Sequence, residues 1–228
     1  MINAIIVAAG KGARMKTGAP KQYLPIAGRP ILGYTLAAFD RARVVDNIFL
    51  VAPEGDFDFC REKIFPPLNL GKRPRLVSGG PRRQDSSRRG VLAVNDPGGI
   101  VLIHDGARPF VDEKEIATCA RAAKNFGACV IGVPCFDTAK RVNRKGIIEK
   151  TVDRDGLWLS RTPQGFKYDL IKKAFEKADK DGFSGTDEAG LVERMGIDVK
   201  MEKGSGMNMK ITTPEDLLLA EAIFKRLE

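Results

Sequence analysis

The chain has 228 residues, 43% hydrophobic and 29% charged, which suits a buried core in one large domain and excludes two tandem enzymes. Its 38 lysines and arginines against 29 aspartates and glutamates leave a net charge of +9, open to a nucleic-acid footprint or to a pocket for a small polyphosphate. The single histidine excludes a His-rich metal site, and no apolar run approaches the ~20 residues of a membrane helix.

In chain order, Met1–Gly10 lacks the positive start of a signal peptide, and Ala4–Ala8 within it reads as a buried strand. Further apolar runs predict strands at Ile48–Ala52, Arg75–Val77, Ile100–His104 and Cys129–Val133. Between them, helical patterns lie near Ile31–Asp40, Asp56–Ile64, Asp85–Val94 and Glu113–Asn125. Such alternation is the signature of an α/β domain with a mostly parallel sheet covered on both faces. After Pro134 the rhythm changes. The polar stretch Thr138–Val152, with a turn signal at Asn143–Gly146, predicts a β-hairpin standing off the main sheet. Helices near Tyr168–Lys180 and Asp187–Met195 follow, then a strand near Val199–Glu202 and the Asn208–Ile211 segment. Thr213 is a good N-cap and Pro214 a good first residue for a last helix.

The four cysteines, Cys60, Cys119, Cys129 and Cys135, show no metal-ligand spacing and read as reduced thiols, so a cytoplasmic location is expected. Small residues after the first strand, Ala8-Ala9-Gly10-Lys11-Gly12, let backbone N–H groups approach a phosphate, with cations nearby. Met15 stands where a dinucleotide fingerprint needs its third glycine, which disfavours a dehydrogenase. Asp105 follows an apolar strand and should sit at its carboxyl end, where open α/β sheets bind ligands. It is the best candidate to ligate Mg²⁺, a hard ion held by few carboxylates plus phosphate oxygens; the competing reading is a helix cap. His104 beside it reads as a core or hydrogen-bonding residue rather than a base.

The pattern continues with Arg14-Met15 and Pro20-Lys21-Gln22, then Gly79-Gly80, Arg83–Ser86, His104-Asp105 with Arg108-Pro109, and Asp137–Arg141. Thr151–Trp158, Thr162–Gln164, Thr186-Asp187-Glu188 and Asn208–Thr212 complete it. In this order the blocks resemble the 2-C-methyl-D-erythritol 4-phosphate cytidylyltransferase family of nucleotidyltransferases along nearly the whole chain. The resemblance implies a single Rossmann-like domain over 1–228, a mixed and mostly parallel sheet, and a protruding β-arm near 137–155 that embraces a second subunit. It implies CTP as co-substrate, a divalent cation, and transfer of CMP to the phosphate of methylerythritol phosphate.

By the same resemblance, Arg14 and Lys21 match the catalytic pair, where a bare reading would leave two solvated cations. Ala8, Ala9, Gly10, Gly12, Gly79, Gly80 and Ser86 match nucleotide-binding positions. Asp105, Arg108, Thr138, Arg154, Thr162 and Lys210 match the site for the second substrate, with Asp105 also the metal ligand. Arg82, Arg88 and Arg89 read as the solvated start of a helix, while Arg83 borders the nucleotide. Met207 stands where the family often has an acid, so Asp105 is expected to be the one metal-ligating side chain. The nearest rival is a ribitol-5-phosphate cytidylyltransferase, whose family usually lacks the Asp137–Lys140 and Thr151–Trp158 blocks. A basic nucleic-acid-binding module is disfavoured because the few aromatics do not interleave with the basic residues. A homodimer is expected, and neither nucleic acid nor membrane as partner.

Overall fold

Side chains on a strand alternate between faces, and in β1 (Ile2–Val7) this splits the core in two. The computed structural model describes residues 1–10, 12, 15 and 20–227; Arg14 lies outside the described residues. After β1 come a two-strand hairpin, β2 (Pro25–Ile26) with β3 (Arg29–Pro30), and α1 (Ile31–Arg41). Then follow β4 (Asn47–Ala52), α2 (Phe57–Phe59), β5 (Arg75–Ser78), α3 (Arg83–Val94), β6 (Ile100–Asp105) and α4 (Glu113–Phe126). The second half holds β7 (Ala128–Pro134), the arm strands β8 (Lys140–Val142) and β9 (Ile148–Thr151), then β10 (Trp158–Lys167) and α5 (Tyr168–Lys180). It ends with α6 (Ala189–Glu193), β11 (Lys200–Lys203) and α7 (Pro214–Leu227).

Seven strands form one sheet in the order β11-β7-β10-β6-β1-β4-β5. All neighbours are parallel except β10, which runs antiparallel to both β6 and β7. The expected α/β class with a mostly parallel, mixed sheet is therefore the observed one. On one face, Ala4, Ile6, Leu50 and Leu102 meet Leu36 and Phe39 of α1 and Ile116 and Cys119 of α4. On the other, Ile5, Val51 and Ile103 meet Val91 of α3, Phe175 of α5 and Val192 of α6. A smaller cluster joins Ile26 and Ile31 to Ala220 of α7. No helix among the described residues is long and apolar enough to cross a membrane.

A few elements depart in detail from expectation. The helix expected near Asp56–Ile64 is present: the three residues of α2 continue into a wider, π-helical turn over Cys60–Ile64, in which the Phe65 N–H reaches the Cys60 carbonyl at 2.9 Å. Pro66 and Pro67 follow at once and offer no N–H to continue a helix. Strand β10 was not anticipated, and the Asn208–Ile211 segment is irregular chain.

Gly90 lets α3 lie close on the sheet: a Cβ there would fall 2.4 Å from Ile5 Cγ2 and 3.0 Å from Val51 Cγ2. Gly90→Ala should therefore destabilise the fold, by about 1–3 kcal/mol from overpacking, despite alanine's better helix propensity. A lower urea midpoint with an unchanged m-value would register it.

Candidate active site

Strands β1 and β6 are parallel neighbours with Val7 opposite Asp105, so both release their chains at the same edge of the sheet. The Gly106 N–H donates to the Val7 carbonyl at 2.9 Å, holding the two loops side by side. A cavity of about 600 Å³ opens there. Ala8, Ala9, Gly10 and Gly12 line one wall, Gly80 and Ser86 at the start of α3 another, and Lys21, Asp105 and Lys210 the rest. Gly79 stands behind this wall, where an added Cβ would lie 2.3 Å from Ala9 Cβ. The buried Gln22 amide donates to the Ala8 carbonyl at 2.7 Å and fixes the start of the glycine-rich loop. Ser86 Oγ accepts from the Gly80 N–H at 3.0 Å, tying that turn to α3.

A second cavity of about 280 Å³ adjoins the first. Arg83, Asp105 and Lys210 border both, while Arg108, Thr162, Gln164 and Asp187 border only the second. Asp105 is the electrostatic centre. Its Oδ1 accepts from Arg83 Nε at 3.1 Å, and its Oδ2 from Lys210 Nζ at 2.9 Å and Arg108 Nε at 3.4 Å. Burial pushes this carboxyl up, but the charges of Arg83, Lys210 and Arg108 outweigh it and hold it below the usual carboxylate range.

His104 is fully buried, which pushes its pKa down to about 3 and keeps the ring neutral. Its Nε2 lies 3.2 Å from the Arg108 carbonyl, which only accepts, so Nε2 carries the proton. Nδ1 then accepts from the Thr162 hydroxyl at 3.0 Å, and that hydroxyl accepts from the Asp105 N–H at 3.1 Å. The histidine and threonine thus brace the backbone of Asp105.

Most of the anticipated residues converge. Lys21 and the glycine-rich loop share the first cavity with Gly80, Ser86, Asp105 and Lys210, while Arg108 and Thr162 sit in the adjoining one. Thr138 and Arg154 do not border either cavity; both are exposed at the base of the arm. Ser160, Arg161, Gln164 and Asp187 border the second cavity without having been singled out. The Thr162–Gln164 and Thr186–Glu188 blocks flagged the neighbourhood of three of them, but a sequence does not show that β10 brings these segments together. Among the described residues no group of three or more His, Cys, Asp or Glu side chains is arranged to hold a metal. The single carboxylate of Asp105 on the wall of the first cavity fits Mg²⁺ as a donor set, since that ion takes one or two carboxylates and completes its shell with phosphates and water.

The family model described as 2-C-methyl-D-erythritol 4-phosphate cytidylyltransferase matches residues 2–226. The chain belongs to this family. A cytidylyltransferase of that description from Syntrophus aciditrophicus is 46% identical over 225 residues, covering 99% of this chain and 96% of its own. One from Syntrophotalea carbinolica is 47% identical over 219 residues, covering 96% and 94%. Among solved structures, the 4-diphosphocytidyl-2C-methyl-D-erythritol synthase of Anaerococcus prevotii superposes with a TM-score of 0.86 at 34% identity, covering 99% of this chain and 96% of that one. The family match spans the whole sheet.

Proposed function

We propose that the chain transfers CMP from CTP to 2-C-methyl-D-erythritol 4-phosphate, releasing pyrophosphate in the non-mevalonate route to isoprenoids. The observation that supports this most is the pair of adjoining cavities, of about 600 and 280 Å³, that meet at Asp105, Arg83 and Lys210. An oxygen of the alcohol phosphate attacks the α-phosphorus. The bond from that phosphorus to the bridging oxygen breaks, and its electron pair leaves with pyrophosphate. The nucleophile is already anionic, so no general base is required, consistent with a neutral, buried His104. What the reaction needs is positioning of two polyanions and neutralisation of charge.

In this reading the backbone of Ala8, Ala9, Gly10 and Gly12 cradles the triphosphate, with Gly79, Gly80 and Ser86 on the nucleoside side. Lys21 and Arg14 offset charge at the α-phosphate. Arg108 and Lys210 face the alcohol phosphate, and Thr162 fixes the floor of its cavity. Asp105 holds Mg²⁺, whose contribution when bound is to neutralise and orient the triphosphate. Met207 brings a thioether, 47% exposed, and no carboxylate, so phosphates and water supply the other ligands.

The chain is proposed to be one domain over 1–228 that works as a homodimer. Residues 140–151 of the arm are all exposed, including Val142, Ile147 and Ile148, and Phe136 at its base is 74% exposed. A partner's arm delivering Thr138 and Arg154 to the second cavity would cover this apolar surface and complete the site. Arg154→Ala should then raise KM for the alcohol phosphate about tenfold or more with KM for CTP unchanged, the loss expected for a charge-assisted phosphate contact. An active monomer by light scattering would exclude the shared site. A cytoplasmic location accords with four free thiols, three of them buried.

The test is pyrophosphate release with CTP and Mg²⁺ across methylerythritol phosphate, ribitol 5-phosphate and sugar 1-phosphates. Turnover with methylerythritol phosphate alone is expected; turnover only with ribitol 5-phosphate would overturn the assignment.

A further inference from the structure

The Thr186-Asp187-Glu188 stretch has no role in the chemistry above, yet Glu188 is only 1% exposed. A carboxylate buried so deeply needs a charged partner, and its partner belongs to the site. Both oxygens of Glu188 accept from Arg83 Nη1, at 2.7 and 2.9 Å, while Arg83 Nε meets Asp105 Oδ1 at 3.1 Å. The guanidinium is thus strung between two acids. It also borders both cavities, at the place where they meet.

The backbone that carries Glu188 is itself anchored. The buried Gln164 of β10 accepts from the Ala189 N–H at 3.0 Å and donates from its amide to Asp187 Oδ2 at 2.8 Å. Asp187 Oδ1 accepts from the Gly190 N–H at 3.1 Å. Glu188 therefore presents a fixed charge, against which a long and otherwise mobile side chain is held.

We propose that Glu188 is a positioning residue that pins the Arg83 guanidinium at the junction of the two cavities, so that one cation serves both the nucleotide and the acceptor phosphate. Released from Glu188, Arg83 would turn further onto Asp105, which already meets Lys210 and Arg108. The cation would then be withdrawn from both substrates at once. This inference rests on the cytidylyltransferase reading and adds a coupling between its two subsites.

Pyrophosphate release by the unaltered enzyme, measured first, tests that reading alone; calorimetric titration of CTP into E188Q tests the coupling whether or not turnover is seen. For E188Q, kcat should fall about 10- to 100-fold, as misplacement of a clamp by an ångström can do. CTP affinity should weaken, and KM for CTP and for the acceptor phosphate should rise together. E188D, with the charge retained but drawn back, should fall between E188Q and the parent. In the R83A background, adding E188Q should cost nothing further, because the carboxylate acts only through the arginine. Losses that multiply in the double variant, or E188Q with parental kinetics and CTP affinity, would overturn the proposal. If E188Q fails to fold, E188D decides: parental kinetics for it would overturn the proposal equally.

Discussion

Lys21→Ala is expected to lower kcat by about 10²–10³-fold, the loss typical of removing one preorganised donor from a developing anion. The melting temperature should stay within a few degrees of the parent. Lys21 opens a short turn, Lys21–Tyr23, against the glycine-rich loop. Gly12 there has φ +64°, and a Cβ on it would lie 3.0 Å from Lys21 Cγ. The loop and the lysine stem are therefore built against each other. The ammonium donates to the Ile211 carbonyl at 2.8 Å, at the seam between that loop and the segment carrying Lys210. Loss of such a bond costs the fold about 1 kcal/mol, whereas loss of the cation in the role proposed for it beside the α-phosphate would cost the transition state about 3–4 kcal/mol. The two effects separate in paired kinetics and thermal melts. Lys21→Arg should recover part of the rate, since it keeps the charge but replaces a compact ammonium with a planar fork. Parental kcat in the alanine variant would remove Lys21 from the chemistry.

The parallel strands were legible because both of their faces are buried, which leaves continuous apolar runs such as Ile100–Ile103. Strand β10 was not. Its Arg161, Thr162 and Pro163 interrupt any apolar run, and its register with β7 shifts between Ser160 and Gln164. A proline inside a run normally argues against a strand. Of these, Arg161 and Thr162 border the second cavity, so the local rule fails where the strand becomes part of the candidate site. The helix near Asp56–Ile64 was legible from its apolar spacing, with Cys60 and Ile64 both buried, whereas the widening of its turn over Cys60–Ile64, ahead of the two prolines, was not.

The same division runs through the site. The glycine-rich loop and Asp105 follow directly from strands, and a carboxyl end of a parallel strand announces itself in sequence. Arg83 on α3, Gln164 on β10 and Glu188 just before α6 lie far apart in the chain, and only the antiparallel insertion of β10 and the approach of α3 make them neighbours. Residue type alone gave Arg83 as one cation of a basic cluster. Its difference from Arg82, Arg88 and Arg89 is that it bridges two buried acids, whereas those three make exposed contacts.

Asp105→Asn is expected to lower kcat/KM by at least about 10²-fold, again the scale of one preorganised electrostatic contact, and to reshape the acid limb of stability. At neutral pH the wild-type carboxylate offsets Arg83, Arg108 and Lys210, and its side chain is only 9% exposed. An amide there leaves three cations facing one another, and breaking a buried pair in this way costs about 3–5 kcal/mol. The melting temperature should therefore fall near pH 7. The pH dependence separates this carboxylate from its neighbour. Asp105 titrates below its ordinary value of 3.8 in the folded protein, so its stabilisation is present above that pH and is lost as pH falls further. His104 acts over another window: the unfolded ring takes up a proton near 6.5 and the folded ring only near 3, so stability declines as pH falls between these values. Asp105→Asn should keep the decline that begins near pH 6.5 and lose the additional drop below about pH 4 that its carboxylate supplies. Melting curves from pH 8 to 2.5 measure both. An unchanged drop below pH 4 would mean that other carboxylates, and not Asp105, carry the charge balance at the junction of the two cavities.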